Sequence, residues 1–473
     1  MKNNRINKIL DMLFRRNAVV LILYTTIPLI TCCEEFVEMN PPVTSLTGNT
    51  VFMGDETATS AVTGIYIRMI QSSNTLVSGN QSITSLMGLA SDELLNYSTD
   101  EGRIEFFDNE LLSNNRFVYA NWREFYTYIY TANSILEGLT TSKDVTEAAK
   151  KQLEGEVRFI RAFCYFYLVN LYGEVPLVTG TDYEVNRLVP KASVADVYYQ
   201  IIYDLKIAQE LFDIDYVGTQ RIRPNRLTAT ALLARVYLYT ENWVNADIEA
   251  TSVIESELCH LEGNLNNVFL IESKEAIWQL QAIRNSWNTF DGLSFILTGS
   301  PTNVSLSNNL VNTFEPQDKR LTNWIGSITV DSETFYYPFK YKIHSSPDPP
   351  VEYLTVFRVA EQYLIRAEAR ARLNKLTGAN SAASDLNAIR GRAGLANTSA
   401  TTQTEMLDAI LQERRMELFT EWGHRWFDLK RMGKSDMILG TIKSGWQSTD
   451  ELLPLPEQEL SRNPNLRPQN SGY

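Results

Sequence analysis

Residues 357–394 read "FRVAEQYLIRAEARARLNKLTGANSAASDLNAIRGRAG". Ala360, Leu364, Ala367 and Ala371 fall at three- and four-residue steps, the spacing of one helix face. After a break, Ala383, Leu386 and Ile389 repeat that spacing on a second helix. Alanine at such places lets two helices approach closely. A similar arrangement occurs upstream, in "TATALLARVYLYTENWVNADIEATSVIE" at 228–255, with Ala231, Ala234 and Tyr237 or Leu238, then Ala246, Ala250 and Ile254. A pair of this kind cannot cover its own apolar face and must stack on neighbours. The internal repeat therefore predicts a mainly α chain.

The two pairs resemble tetratricopeptide units, and we read them so in preference to ordinary helical hairpins. Working outward, "NWREFYTYIYTANSIL" sets Trp122, Phe125, Tyr126, Ile129, Ala132 and Ile135 or Leu136 on one stripe. "EGEVRFIRAFCYFYLVNLYG" does the same with Val157, Ile160 or Arg161, Cys164, Leu168 and Leu171, and Gly173 stops it. Cys164 then reads as a small buried hydrophobe. Ser193 is a fitting N-cap for the helix that follows it. In "ERRMELFTEWGHRWFDLKR", helical spacing puts Met416, Phe419, Trp422 and Trp426 on one face. Glu421 and Arg425 form a favourable i,i+4 pair, and Glu413, Glu417, Arg414 and Arg415 beside them suggest buried ion pairs. His424 reads as a core histidine. Pro454, Pro456, Pro464 and Pro468 prevent regular structure in the tail, which is expected to wrap over the helices; Trp426 and Tyr473 are assigned to packing.

Helical periodicity fades in two stretches, about 91–117 and about 260–353. Gly, Pro, Asn and Ser thicken in the second, where "AIWQLQ" and "TFYYPFKYKI" lean towards β structure. Long irregular insertions in compact domains tend to be functional. Asp92 and Glu93 read as a helix start or as surface charge.

The first 32 residues stand apart. Lys2, Arg5, Lys8, Arg15 and Arg16 oppose a single Asp11, and an apolar run of about fifteen residues follows, short of the roughly 20 a membrane span needs. That is a secretory signal, ending in "LITCC". Cys33, or alternatively Cys32, is in position to be acylated as the first residue of the mature chain. We therefore expect a signal at 1–32 and one domain over 33–473. Removing a +4 leader from a chain of net charge −13 leaves about −17. An acidic body argues against nucleic-acid binding and against adhesion to anionic lipid headgroups.

No catalytic or metal-binding motif is present: no CxxC pair, HExxH, phosphate loop, GxSxG elbow or calcium loop. The three histidines, His260, His344 and His424, are scattered. Paired carboxylates for glycoside hydrolysis are not singled out among many Asp and Glu. No cofactor is expected.

Five stretches in order carry a resemblance to the SusD/RagB family of Bacteroidetes surface lipoproteins: "CEEFVEMNPP"; "SDELL" with "NWREFYTYIYTANSIL"; "EVRFIRAFCYFYLVNLYGEVPLV"; "FRVAEQYLIRAEARARL" followed by "DLNAIRGRAGL"; and "ERRMELFTEWGHRWFDLKRMG" with the closing "LLPLPEQELSRNPNLRPQNSGY". The resemblance implies four tetratricopeptide-like helix pairs, with irregular, partly β insertions forming the ligand face. It also implies an outer-membrane, lipid-anchored protein facing the cell exterior. Such a protein passes an oligosaccharide, or in some relatives a peptide, to a SusC-like TonB-dependent barrel; a surface glycosidase is the other reading. Sugars pack apolar C–H faces on aromatic rings and need polar partners at their edges, as ligand pockets generally provide. On that ground Trp287, Asn288, Phe290 and Trp324 in one insertion, and Asn96, Tyr97, Arg103 and Phe107 in the other, are the candidate ligand contacts. The competing reading of these rings is that they staple their loops to the scaffold.

Overall fold

The computed structural model describes residues 51–71, 76–282, 288–345 and 349–473; the leader, Cys32, Cys33 and Trp287 lie outside them. Asn115 caps the helix Arg116–Thr141 by accepting the N–H groups of Phe117 and Val118. Trp122, Phe125, Ile129, Ala132 and Ile135 form its buried stripe, as the spacing predicts, and Tyr126 is half-buried with its hydroxyl on the Pro176 carbonyl, 2.8 Å away. The next helix, Glu147–Tyr172, is buried on every side from Gly155 onward apart from half-buried Arg158, Cys164 included. A helix apolar all round is a central one. Its two buried charges are paired: Arg161 with Asp204 at 2.7 Å and Glu156 with Arg223. Ser193 Oγ caps Val194–Leu211 by accepting the Asp196 N–H.

The helices Arg226–Tyr239 and Trp243–Ile254 pair, as do Val359–Arg372 and Ala382–Arg392, and Trp243–Ile254 packs on Val359–Arg372. The two pairs therefore stack despite the insertion between them, and the repeat reading holds over isolated hairpins. Ala231, Ala234, Ala246, Ala250, Ala360, Ala367 and Ala371 are fully buried at the crossings. Two assignments shift by one residue: Ala382 and Val253 take the buried places expected for Ala383 and Ile254. Arg366 and Arg370 brace the stack, both bonding Asp385 and the latter also Asp247 at 3.0 Å.

Both insertions form short antiparallel strands. Ala276–Leu280 pairs with Leu354–Arg358, both wholly buried, and closes the long insertion at its base. Ile325–Val330 and Glu333–Pro338 make a hairpin whose turn residues, Asp331 and Ser332, both have positive φ, as tight two-residue turns require. Gly326 faces Tyr337, whose ring occupies the space a Cβ would need.

The stretch from Glu413 to Arg431 is not one helix. Gln403–Leu418 ends, the chain turns through Thr420, Trp422 and Gly423, all at positive φ, and His424–Arg431 starts anew. A side chain at Gly423 would press on Met87 at 2.9 Å. The expected Glu421–Arg425 pair is consequently absent. Arg425 instead bonds Asp92 at 2.7 Å, while Glu421 goes to Arg358 and Lys340. Asp92 and Glu93 are likewise buried, neither starting a helix nor lying on the surface. His424 and Trp426 are buried as read, and the tail does bond the helices, through Leu453 N–H to Leu171 O and Asn470 to Tyr172 O, both 2.8 Å. Its prolines do not exclude regular structure, however, since Glu457–Arg462 forms a short helix between Pro456 and Pro464.

Candidate ligand cleft

The two insertions meet. Leu94–Asn96 pairs with Val304–Leu306, and the ladder continues from Tyr97 N–H to Asn303 O at 2.8 Å. Asp291, at the start of the helix Phe290–Phe295, accepts the Gly79 N–H at 2.9 Å and so ties that helix to the segment before Ile83–Ala90. Between these elements lies a half-open cleft of about 280 Å³ lined by Asn80, Leu293, Ser294, Thr298, Asn303 and His344 among others. Asn80 Oδ1 is buried there without a hydrogen-bond partner among the described residues. Burial pushes the Asp291 carboxyl up to about 7, with the Gly79 N–H opposing. A protonated carboxyl at this position is neutral in a dry seam, while an ionised one is held by a single N–H.

The residues expected to contact ligand separate into three groups. Tyr97 is 36% exposed, stands edge-on to Phe335 with centroids 5.8 Å apart, and accepts a 3.4 Å bond from Ser305 Oγ. Asn96 is half-buried and folds over its own turn, bonding the Ser98 N–H and carbonyl. A second group acts from behind. Arg103 is buried, and its guanidinium donates to the Asn80 carbonyl and to Ser85 Oγ at 3.3 Å; burial brings its pKa down to about 10. Arg103 therefore positions the cleft wall and does not face it. Asn288 is buried and accepts the N–H groups of Val351 and Glu352 at 2.7 and 2.9 Å, Phe290 is a core ring, and Phe107 lies half-buried under the Lys443 ammonium.

Trp324 requires a correction. It is fully buried, its indole donates to the Leu265 carbonyl at 3.0 Å, and Lys340, Arg358 and Arg392 stand over its ring. Those cations belong to an ionic hub. Arg358 binds Glu275 at 2.9 Å, Glu421 through two bonds of 2.8 Å, and Glu417. Arg392 joins Glu275 to Glu417, and Arg320 bridges Glu417, Glu413 and Asp318. Burial raises the Glu417 pKa, yet Arg392, Arg358 and Arg320 together hold it well below the carboxylate range. The ring is thus spent on internal cations and is not available to ligand. In the hairpin, Tyr336 and Tyr337 are both half-buried and Phe335 is buried.

Sequence reading missed the wall at 297–304, "LTGSPTNV", and Asn80. The signal was there in its small polar composition with Gly and Pro, but it carries no aromatic ring. Among the described residues no group of three or more His, Cys, Asp or Glu could hold a metal ion, and no helix is long and apolar enough to cross a membrane.

Two family profiles match the chain: one described as "SusD family" over 326–473, the other as "Starch-binding associating with outer membrane" over 45–238. Neither reaches 239–325, which supplies the Phe290–Phe295 helix and the 297–304 wall. A SusD-like protein of Formosa agariphila is 26% identical over 91% of this chain and 95% of its own. A SusD superfamily structure from Bacteroides vulgatus superposes with a TM-score of 0.77 at 22% identity, covering 89% of this chain and 99% of that one. A laminarin-binding SusD-like protein gives 0.74 at 24% identity, over 88% and 99%. With the stacked helix pairs, the inserted strands and matches at both ends of the chain in hand, the protein belongs to the SusD/RagB family.

Proposed function

We propose that the protein is a carbohydrate-binding lipoprotein of the outer membrane, facing the cell exterior. It captures an oligosaccharide in the cleft that the long insertion forms with Asn80 and delivers it to a SusC-like TonB-dependent barrel. The observation that carries this reading is the cleft itself, with a polar wall of amides, hydroxyls and His344 and the unpartnered Asn80 oxygen. Tyr97 presents a ring near its strand edge. Neutral sugar hydroxyls suit such a wall better than a charged ligand does. The family description as starch-binding and the laminarin-binding relative support a glycan over a peptide. No acid–base carboxylate pair faces the cleft among its described lining residues, so we assign it capture and not hydrolysis.

Anchoring is assigned to Cys33, with Cys32 the alternative, ahead of one domain over 33–473. Two or more lipid chains give a stable anchor. One experiment tests the whole reading: purification from the native host in mild detergent, wild type beside a Cys32→Ala, Cys33→Ala double variant. Wild type should come from the membrane fraction with a large barrel protein, be retarded in native gels containing laminarin or starch, and release no reducing sugar. A double variant that stays in the membrane overturns the anchor, and wild type recovered alone overturns the partnership. Retardation by no glycan, with capture of a peptide library, shifts the ligand to peptides. Release of reducing sugar makes the protein a glycosidase.

A further inference from the structure

On the helix Arg116–Thr141, Tyr119, Arg123, Tyr126, Thr127 and Tyr130 recur at three- and four-residue steps on one face. That face does not pack against another helix along its whole length. It forms the floor of a groove of about 590 Å³, walled by Pro176 and Tyr183 on one side and by Glu459 and Arg462 of the tail on the other. The size suits a small ligand. Tyr130 is 53% and Tyr183 72% exposed, so two rings are presented to solvent across a concave surface. Tyr126 is pinned from below by its bond to Pro176 O and by Trp122, whose ring centroid lies 5.0 Å away.

Charge at the groove runs against the rest of the molecule. Three arginines, Arg123, Arg187 and Arg462, stand at the rim of a chain whose net charge is −13. Among the described residues no carboxylate is within ion-pair reach of Arg123; its guanidinium rests over the Tyr119 ring at 5.6 Å. Arg187 and Arg462 are held by i,i+3 surface pairs with Glu184 and Glu459, each 2.7 Å, and Arg462 also donates to the Tyr119 hydroxyl at 3.2 Å. Pairs of that kind contribute little, so both guanidiniums can turn to an anion at small cost. Planar guanidinium forks suit carboxylate and sulfate geometry.

We propose that this groove is a second saccharide site, selective for sugar units carrying an anionic substituent. The tyrosines take the C–H faces and the rim arginines take the acidic group. The assignment goes beyond the glycan-capture reading of the cleft and does not depend on it, because the two sites have different lining residues and take ligands of different charge, neutral in the cleft and anionic in the groove.

The test is calorimetric titration of the purified protein with two acidic probes, oligogalacturonate for a carboxylate and a sulfated galactan oligosaccharide for a sulfate, beside neutral laminarin oligosaccharide. Wild type should bind at least one acidic probe, more weakly as salt rises, because the rim charges are exposed and screened over about 8 Å at physiological ionic strength. Tyr183→Ala and Arg123→Ala should each weaken that binding about tenfold. Neither should shift thermal unfolding or laminarin binding, and Tyr97→Ala should leave acidic binding unchanged. Which probe binds decides between carboxylate and sulfate. Absence of binding by both acidic probes overturns the proposal, as does acidic binding that Tyr183→Ala and Arg123→Ala leave intact. Loss of the co-purifying barrel in these variants, with no acidic binding in wild type, makes the groove a protein interface instead.

Discussion

The long insertion contributes to two regions built on different physics, the hub around Trp324 and the cleft that its 293–304 segment forms with Asn80. In the hub, four cations and five carboxylates interlock in a dry interior, and the tryptophan lies among them. In the cleft, polar groups meet a half-open space, one buried carboxyl is held by a single N–H, and one amide oxygen has no partner. Both regions draw on the same polar insertion, but the stretch around Trp324 carries aromatic rings and the 297–304 wall carries none. The difference teaches that an aromatic ring in polar sequence is exposed only where the polar residues around it lack partners elsewhere. Where they find partners on other elements, the ring is sealed in.

The largest effect should come from opening the hub. Glu417→Ala removes the carboxylate shared by Arg358, Arg392 and Arg320. Leaving buried charges uncompensated costs about 3–5 kcal/mol, and Trp324→Ala should cost a similar amount through its cavity. Urea unfolding of both variants should show a large fall in midpoint. Unfolding within about 1 kcal/mol of wild type would mean that the hub is hydrated and the contrast with the cleft is false.

The scaffold was legible because its faces are written locally. Trp122, Phe125, Ile129 and Ala132 recur at helical steps, and they are buried in that order. The hub was legible only as a cluster of charges. Arg358 finds Glu275 across 83 residues, a distance at which spacing carries no information, so Trp324 could not be seen to lie beneath it. The break at 419–423 was hidden for a different reason. Thr420 and Trp422 adopt positive φ, which neither residue type announces, and Gly423 alone hinted at a turn. Near the cleft, Tyr97 was found by its ring, whereas Asn80 and the 297–304 wall that line it offered mostly small polar side chains. Arg103 was found for the wrong task, since its guanidinium donates to the Asn80 carbonyl and to Ser85 Oγ behind the wall.

Protonation separates the two regions next. Burial raises the Asp291 carboxyl from an ordinary 3.8 to about 7, so the folded state keeps a proton that the unfolded chain releases. Its stabilisation is complete below about pH 4 and is lost as pH rises to about 7. Glu417 and Glu421 are held low by Arg358 and its neighbours despite burial. Their contribution is complete above the ordinary carboxylate range and is lost as pH falls below it. Hub and cleft therefore oppose each other. Asp291→Asn keeps an acceptor for Gly79 and removes the titration. It should gain about 4 kcal/mol over wild type at pH 8 relative to pH 4, read from denaturant midpoints at the two values. Glu93, raised to about 7 by burial, remains in the variant, so some slope should persist. An equal difference at both pH values would show that Asp291 is ionised in its seam.

The smallest effect should fall on Tyr97, and it bears most directly on function. Its ring touches Phe335 edge-on and its hydroxyl takes one long bond from Ser305, so little of the fold depends on it. Tyr97→Ala should lower unfolding stability by under about 1 kcal/mol, the scale of one exposed aromatic pair. If a sugar ring in the cleft stacks on this side chain, the same substitution should weaken binding of whichever neutral glycan the gels select by about fivefold, near 1 kcal/mol. Tyr97→Phe keeps the stacking face and should bind nearly as wild type does, which separates the ring from the hydroxyl. Equal loss in both variants would assign the contact to the hydroxyl and its partner Ser305. Wild-type affinity in both would place the ligand deeper, against Asn80 and the 297–304 wall, with Tyr97 serving only to seat the Glu333–Pro338 strand.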